Sequence, residues 1–189
     1  MLPFLLWGLS SCSTRDDAEL CFVGDSLVAG WDVKSGFPTY MVRNDGVSGA
    51  RLEDILTWNL DYRNKDVIML IGTNNLIGDI VNPEFQIRFI ADFVEEYRRT
   101  IEILAPRRAF VLSVLPRNLE HDPSLLNESI KNLNKALSQM VGSLGYGKFV
   151  DVYDDFLYEG KLNMNYSTDG LHLNDMGYNI LNARISREL

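Results

Sequence analysis

The chain has 189 residues, a formal net charge of −8 and 46% hydrophobic residues, which excludes a disordered chain and, with no internal repeat, a fibre or a solenoid. One domain is expected, since domains typically run to roughly 100–200 residues and a chain of this size buries a core without disulfide or metal staples. The acidic balance repels phosphate backbones and argues against nucleic acid as a partner.

Residues 1–11, MLPFLLWGLSS, carry no charged side chain and lead straight into Cys12. The run is shorter than the about 20 apolar residues a bilayer span needs, and it reads as the hydrophobic part of a secretory signal. Leu9-Ser10-Ser11-Cys12 resembles a bacterial lipobox, in which small residues admit a peptidase and the Cys thiol is acylated. Residues 1–18 are accordingly read as leader and linker, and 19–189 as the folded domain. The expectation that follows is an exported cell-envelope lipoprotein, membrane-anchored through Cys12. An N-terminal strand or tail, with a cytoplasmic location, is the other reading of the same residues.

The predicted strands are short, β-branched or aromatic runs bounded by Gly, Pro, Asn or Asp. The first is Glu19–Val23, where Cys21 reads as a small buried hydrophobe. The second is Tyr40–Arg43, followed by a helix over Arg51–Leu60. Val67–Ile71 is apolar at every position, as expected of a central parallel strand covered on both faces. Asn82-Pro83 caps and opens a helix whose stripe runs Phe85, Phe89, Phe93, Tyr97, a spacing that predicts core packing. Ala109–Leu115 is the fourth strand, and Asp122-Pro123 is expected to open the next helix in the same way. Phe149–Val152 is the fifth strand, and Asn174 caps a last helix over 175–187. Alternating β and α elements predict a three-layer α/β/α sandwich around a parallel, flavodoxin-like five-stranded sheet. Ligands in such sheets bind beyond the C-terminal strand ends.

Those ends carry Gly24-Asp25-Ser26-Leu27, Asn44-Asp45-Gly46-Val47-Ser48-Gly49 and Gly72-Thr73-Asn74-Asn75; Asp169-Gly170-Leu171-His172 precedes the last helix. A hydroxyl nucleophile needs a base, a group that orients the base, and donors for a developing oxyanion. Ser26 stands at a strand-to-helix turn. The two histidines are His121, in a polar connection, and His172, three residues after Asp169. Asp169 can hold Nδ1 of His172 and leave Nε2 to take the Ser26 proton. Asn74 offers an amide donor and Gly49 a backbone N–H unobstructed by a side chain. Gly46-Val47-Ser48-Gly49-Ala50 lacks only the last glycine of a G-x-S-x-G elbow, which makes Ser48 the runner-up nucleophile.

The four blocks, in this order, resemble those of the SGNH hydrolases, the GDSL esterase and lipase family. The resemblance spans residues 19–189. It implies Ser26 as nucleophile, Asp169 and His172 as its partners, and an oxyanion hole formed by Ser26, Gly49 and Asn74; Asp25 takes a structural part in the turn. It also implies a serine ester hydrolase that needs no metal or organic cofactor. Where the family's third block often reads Gly-x-Asn-Asp, this chain has Asn75, a position that does not carry the oxyanion contact. The expected substrate is an ester of carbohydrate or lipid, with a short acyl group such as acetyl. Lysophospholipase or acyl-thioesterase activity on longer chains is the alternative, and the oligomeric state is not readable. A catalytically silent glycan- or lipid-binding module would keep the pocket but has no need of all three triad residues. A phosphate or flavin binder would leave the Asp169–His172 pair without purpose.

Overall fold

The computed structural model describes residues 19–76 and 78–189. The predicted leader and Cys12 lie outside the described residues. Five parallel strands form the central sheet: β1 (Leu20–Gly24), β2 (Val42–Gly46), β3 (Asp66–Leu70), β4 (Arg108–Leu112) and β5 (Gly147–Val150), in the spatial order β2-β1-β3-β4-β5. This is the expected flavodoxin-like order, with the chain reversing direction of travel across the sheet next to β1.

Side chains alternate across the strands with period two and build two cores. Cys21, Val23, Val67, Met69 and Val111 face α3 (Pro83–Leu104) and α4 (Leu126–Gly142). Leu20, Phe22, Ile68, Leu70 and Phe110 face the other layer, made by α1 (Ser26–Ala29), α2 (Val33–Gly36) and α5 (Asp175–Ser186). Every residue of β1 and β3 is buried, so both read as near-continuous apolar runs. Burial pushes the Cys21 thiol up to about 11, as befits an inert core thiol. A small antiparallel pair, β6 (Leu157–Tyr158) and β7 (Lys161–Leu162), has no counterpart in the sequence reading.

Four expectations need correction. The second strand runs over Val42–Gly46 rather than Tyr40–Arg43. Its polar residues are tolerated because Arg43 Nε bonds Asp45 Oδ2 at 2.6 Å, and because Asn44 Nδ2 donates to the carbonyls of Val28 and Trp31 at 2.7 and 3.0 Å. The helix expected over Arg51–Leu60 is a tighter 3-10 turn at Leu52–Thr57. Side chains compete there for its first N–H groups: Asp54 takes that of Arg51 and Asn75 that of Leu52. Asp122-Pro123 does not open α4, which begins at Leu126. The Asp122 carboxylate is held instead by Arg117 at 2.6 Å and by the Leu119 N–H. Finally, only the second half of the α3 aromatic stripe, Phe93 and Tyr97, is core; Phe85 and Phe89 are half-buried.

Candidate active site

The β1–α1 turn is built by main-chain proximity. A Cβ on Gly24 would stand 2.0 Å from the Leu70 carbonyl oxygen, and one on Gly46 would stand 2.2 Å from the Ala29 nitrogen. Glycine at 46 lets α1 rest directly on the backbone of β2, and glycine at 24 lets the end of β1 lie close against the Leu70 carbonyl of β3 and the Val28 side chain of α1. Asp25 is the N-cap: its Oδ1 accepts the Leu27 N–H at 3.0 Å, the structural part foreseen for it. Ser26 is thus the first helical residue, where no preceding turn provides an acceptor for its N–H. The other end of this four-residue helix is held by Asn44 on Val28 O, and by Tyr178 Oη of α5, which donates to Leu27 O at 2.9 Å.

Asp25 is fully buried, and desolvation pushes its carboxyl up to about 6 from an ordinary 3.8, against the smaller opposing pull of the Leu27 N–H and His172. The raised value makes stability pH-dependent with a definite sign. Below the ordinary value folded and unfolded chains both carry the proton; as pH rises toward about 6 the unfolded chain ionises first and the folded state loses ground. The loss amounts to roughly 3 kcal/mol, complete above that range. Asp25→Asn removes the ionisation, so urea denaturation should show the variant gaining this much relative to wild type between about pH 4 and about pH 7. Parallel pH profiles for the two proteins would disprove the account.

The loop before α5 brings the remaining groups. His172 Nδ1 lies 2.7 Å from Asp169 Oδ2, and His172 Nε2 lies 3.1 Å from Ser26 Oγ. Asp169 Oδ1 also accepts the main-chain N–H groups of Leu171 and His172, at 2.9 and 2.7 Å. Desolvation pushes the Asp169 carboxyl up, but the bonds from the His172 ring and these N–H groups outweigh it and hold the group at about 2. It is therefore an anion in any neutral solution, and accepts the Nδ1 proton. That fixes the tautomer in which Nε2 presents its lone pair to Ser26. The Asp169 and His172 side chains are 50% and 43% exposed, so water reaches the base directly.

The loop's shape has its own supports, which the sequence reading missed. Ser167 Oγ donates to the His172 carbonyl at 2.7 Å and accepts the Gly170 N–H at 2.9 Å. Gly170 has φ of +87°, and a Cβ there would stand 2.3 Å from the Asn118 carbonyl oxygen; the Asn118 N–H donates to Gly170 O at 2.8 Å. The β4–α4 connection thus clamps the Asp169–His172 loop. A Ser two residues before an Asp, in a Gly-containing turn, was the available signal for Ser167.

The two expected oxyanion donors flank Ser26 on the neighbouring strand ends. Gly49 has φ of +79° with nothing within 4 Å of where a Cβ would stand, so glycine is needed there for its left-handed backbone rather than for space. Asn74 sits in the 3-10 turn Thr73–Asn75 after β3, and its Nδ2 donates to Ala50 O at 2.9 Å. One amide hydrogen ties the two oxyanion loops together; the second remains for a substrate oxygen. Asn75 bridges the same loops, accepting from Leu52 N–H and donating to Glu53 Oε2 at 2.8 Å. A carboxylate at that position has no proton to donate to Glu53. Ser48, the runner-up, is exposed and hydrogen-bonded to neither histidine among the described residues, and His121 is exposed in the connection ahead of α4.

The sequence profile of the family described as GDSL-like lipase/acylhydrolase matches residues 22–180. Among solved structures, the chain is similar to a Streptococcus pneumonia protein provisionally called a platelet activating factor, with 26% identity over 90% of this chain and 83% of that one, and a TM-score of 0.74. It is similar in fold to a lipase/acylhydrolase from Enterococcus faecalis (21% identity, 90% and 94% of the two chains, TM-score 0.65). It is likewise similar in fold to an acetyl-xylooligosaccharide esterase from Geobacillus stearothermophilus (17%, 90% and 93%, TM-score 0.64). An Escherichia coli N-acylneuraminate cytidylyltransferase is 25% identical over 178 residues; these are 89% of this chain but only 40% of that protein.

Proposed function

Because the chain belongs to the GDSL-like lipase/acylhydrolase family, we propose that it hydrolyses carboxylic esters through an acyl-enzyme on Ser26, with acetyl and other short acyl groups on carbohydrate or lipid alcohols as substrates. The observation that carries this reading is the unbroken contact Asp169–His172–Ser26, at 2.7 and 3.1 Å, between segments 146 residues apart in the chain. A surface ion pair or an ordinary helix cap does not call for that convergence.

In the proposed reaction His172 Nε2 takes the hydroxyl proton as Ser26 Oγ adds to the ester carbonyl carbon. The charge that develops on the carbonyl oxygen is met by the Ser26 and Gly49 N–H groups and the free Asn74 amide hydrogen. Collapse breaks the bond to the alkoxy oxygen, which leaves as the alcohol with the proton from His172. Water then gives its proton to His172 and adds to the acyl-serine. The same imidazolium returns a proton to Ser26 Oγ as the carboxylic acid departs. Asp169 stays ionised throughout and stabilises the imidazolium.

One likeness supports a sugar-borne short acyl group: a neighbour in fold is, by its description, an acetyl-xylooligosaccharide esterase. A second reading, hydrolysis of longer acyl chains, is favoured by a hollow of about 440 Å³ near the same loops, in which Leu76, Leu119, Pro123 and Leu126 line an apolar part beside the polar side chains of residues 117 and 120–122. Nitrophenyl esters of increasing acyl length decide between them, with Ser26→Ala as the blank. Acetate should be the best substrate; a maximum at long chains supports the second reading. Absence of turnover, with no fluorophosphonate labelling of Ser26, reduces the protein to a binding module. The leader-like segment ending at Cys12 supports export and membrane anchoring, which palmitate labelling lost in Cys12→Ala would test.

A further inference from the structure

A groove of about 520 Å³ begins where the oxyanion loops end. One wall is Arg51 and Glu53, which directly follow the Gly49–Ala50 turn; its floor includes Asn75, next to Asn74; the facing wall is the first half of α3. The size lies within the roughly 300–1,000 Å³ of small-molecule sites.

The α3 wall is an aromatic ladder. Phe85 and Phe89 stack with centroids 6.1 Å apart and planes at 19°, and Phe89 stacks on Phe93 at 5.6 Å and 21°. Phe93 is buried against Gly72 at the end of β3 and anchors the ladder, whereas Phe85 and Phe89 are half-buried and lie open to the groove. Around them stand both signs of charge: exposed Arg88, Asp92 and Glu96 on α3, and Arg51 and Glu53 opposite, the latter pair 4.0 Å apart.

From this we infer that the groove is a carbohydrate subsite that binds a neutral, partly acetylated oligosaccharide and presents its ester to Ser26. The inference rests on the ester-hydrolase reading and deepens it. A pyranose ring has apolar C–H groups that pack against the exposed parts of aromatic rings, and equatorial hydroxyls that both donate and accept. Arg51 and Arg88 supply donors in planar forks, and Glu53, Asp92 and Glu96 supply acceptors. A long acyl chain would strip water from these five charged groups and return no hydrogen bond. A strongly charged ligand would meet a like charge on one wall or the other. A neutral polyol satisfies both the rings and the rim.

The test compares two acetyl esters with different alcohols: partly acetylated xylo-oligosaccharides and p-nitrophenyl acetate, the second too small to fill the groove. Phe89→Ala and the fully surface change Arg88→Ala should each raise KM for the oligosaccharide at least about fivefold, with kcat/KM for p-nitrophenyl acetate kept within about twofold. Unchanged oligosaccharide kinetics in both variants overturns the inference, as does an equal loss on both substrates. Selective loss on a long-chain nitrophenyl ester assigns the groove to acyl chains and overturns it too. Wild-type protein that turns over p-nitrophenyl acetate but not the acetylated oligosaccharide also sinks the subsite while leaving the esterase standing. Failure of the esterase reading looks different: wild type and Ser26→Ala are then equally inert on p-nitrophenyl acetate.

Discussion

Ser26→Ala is expected to lower kcat on p-nitrophenyl acetate by about 10⁴–10⁶, His172→Ala by a similar factor, and the double variant by no more than either alone. The non-additivity follows from the 3.1 Å contact between them: without the hydroxyl the imidazole has no proton to take, and without the imidazole the hydroxyl stays un-ionised. Asn74→Ala should cost about 10²–10³, the usual loss for one oxyanion donor. Because Asn74 Nδ2 also bonds the Ala50 carbonyl, its removal loosens the loop as well. Asn74→Asp, which keeps the shape and deletes the donors, should therefore be at least as damaging. Steady-state rates normalised to fluorophosphonate-titratable sites check the Asn74 series, and far-ultraviolet circular dichroism confirms that the variants fold. A Ser26→Ala protein retaining more than about a tenth of wild-type turnover would remove Ser26 from the nucleophile's role.

The largest stability effect is expected at the edge strand. Asp45→Ala should destabilise the fold by about 3–5 kcal/mol, the range found when one member of a buried ion pair is removed. The Arg43 and Asp45 side chains are 5% and 0% exposed and meet at 2.6 Å. Tyr62 donates to the same carboxylate, and the guanidinium lies 5.0 Å from the centre of the Tyr62 ring. Truncating Asp45 takes the carboxylate at 2.6 Å away from a guanidinium that is 5% exposed; replacing both partners by apolar residues, Arg43→Met with Asp45→Leu, removes the charge as well and should cost far less. Urea denaturation at fixed pH measures both. A single-variant loss below about 1 kcal/mol would show that water or another side chain relieves the charge.

The element types and the strand order were legible because they depend on short-range pattern: short continuous apolar runs in β1 and β3, a four-residue spacing along α3, Asn before Pro at residue 82. What was misread depends on contacts across the fold. The second strand was ended at Arg43 because Asn-Asp-Gly follows it; nothing local reveals that Asn44 is spoken for by α1 and Asp45 by Arg43. Asp122-Pro123 has the form of a helix start, and only the approach of Arg117 diverts its carboxylate. The Phe85–Tyr97 stripe is periodic throughout, but period does not say where the neighbouring layer stops, and half of it borders a groove. At the site, Ser26, Asp169, His172, Gly49 and Asn74 stood out because nucleophile chemistry needs few residue types. Asn118 and Ser167 did not, because their part is played through main-chain atoms of a loop 52 residues away for the former. A one-dimensional pattern holds no trace of such a clamp.

The glycine seat under α1 has a consequence for variation. Where most helices float on a cushion of interlocking side chains, this one touches down main chain to main chain at Gly46. The altitude of the serine over the strands is therefore a datum fixed by covalent geometry, insensitive to which apolar residues pad the layer beneath. Substitutions among those padding residues can drift, and alter how firmly the molecule holds together, without resetting the reach from Oγ to imidazole. A single methyl group at that seat acts instead as a shim, lifting the hydroxyl off its mark.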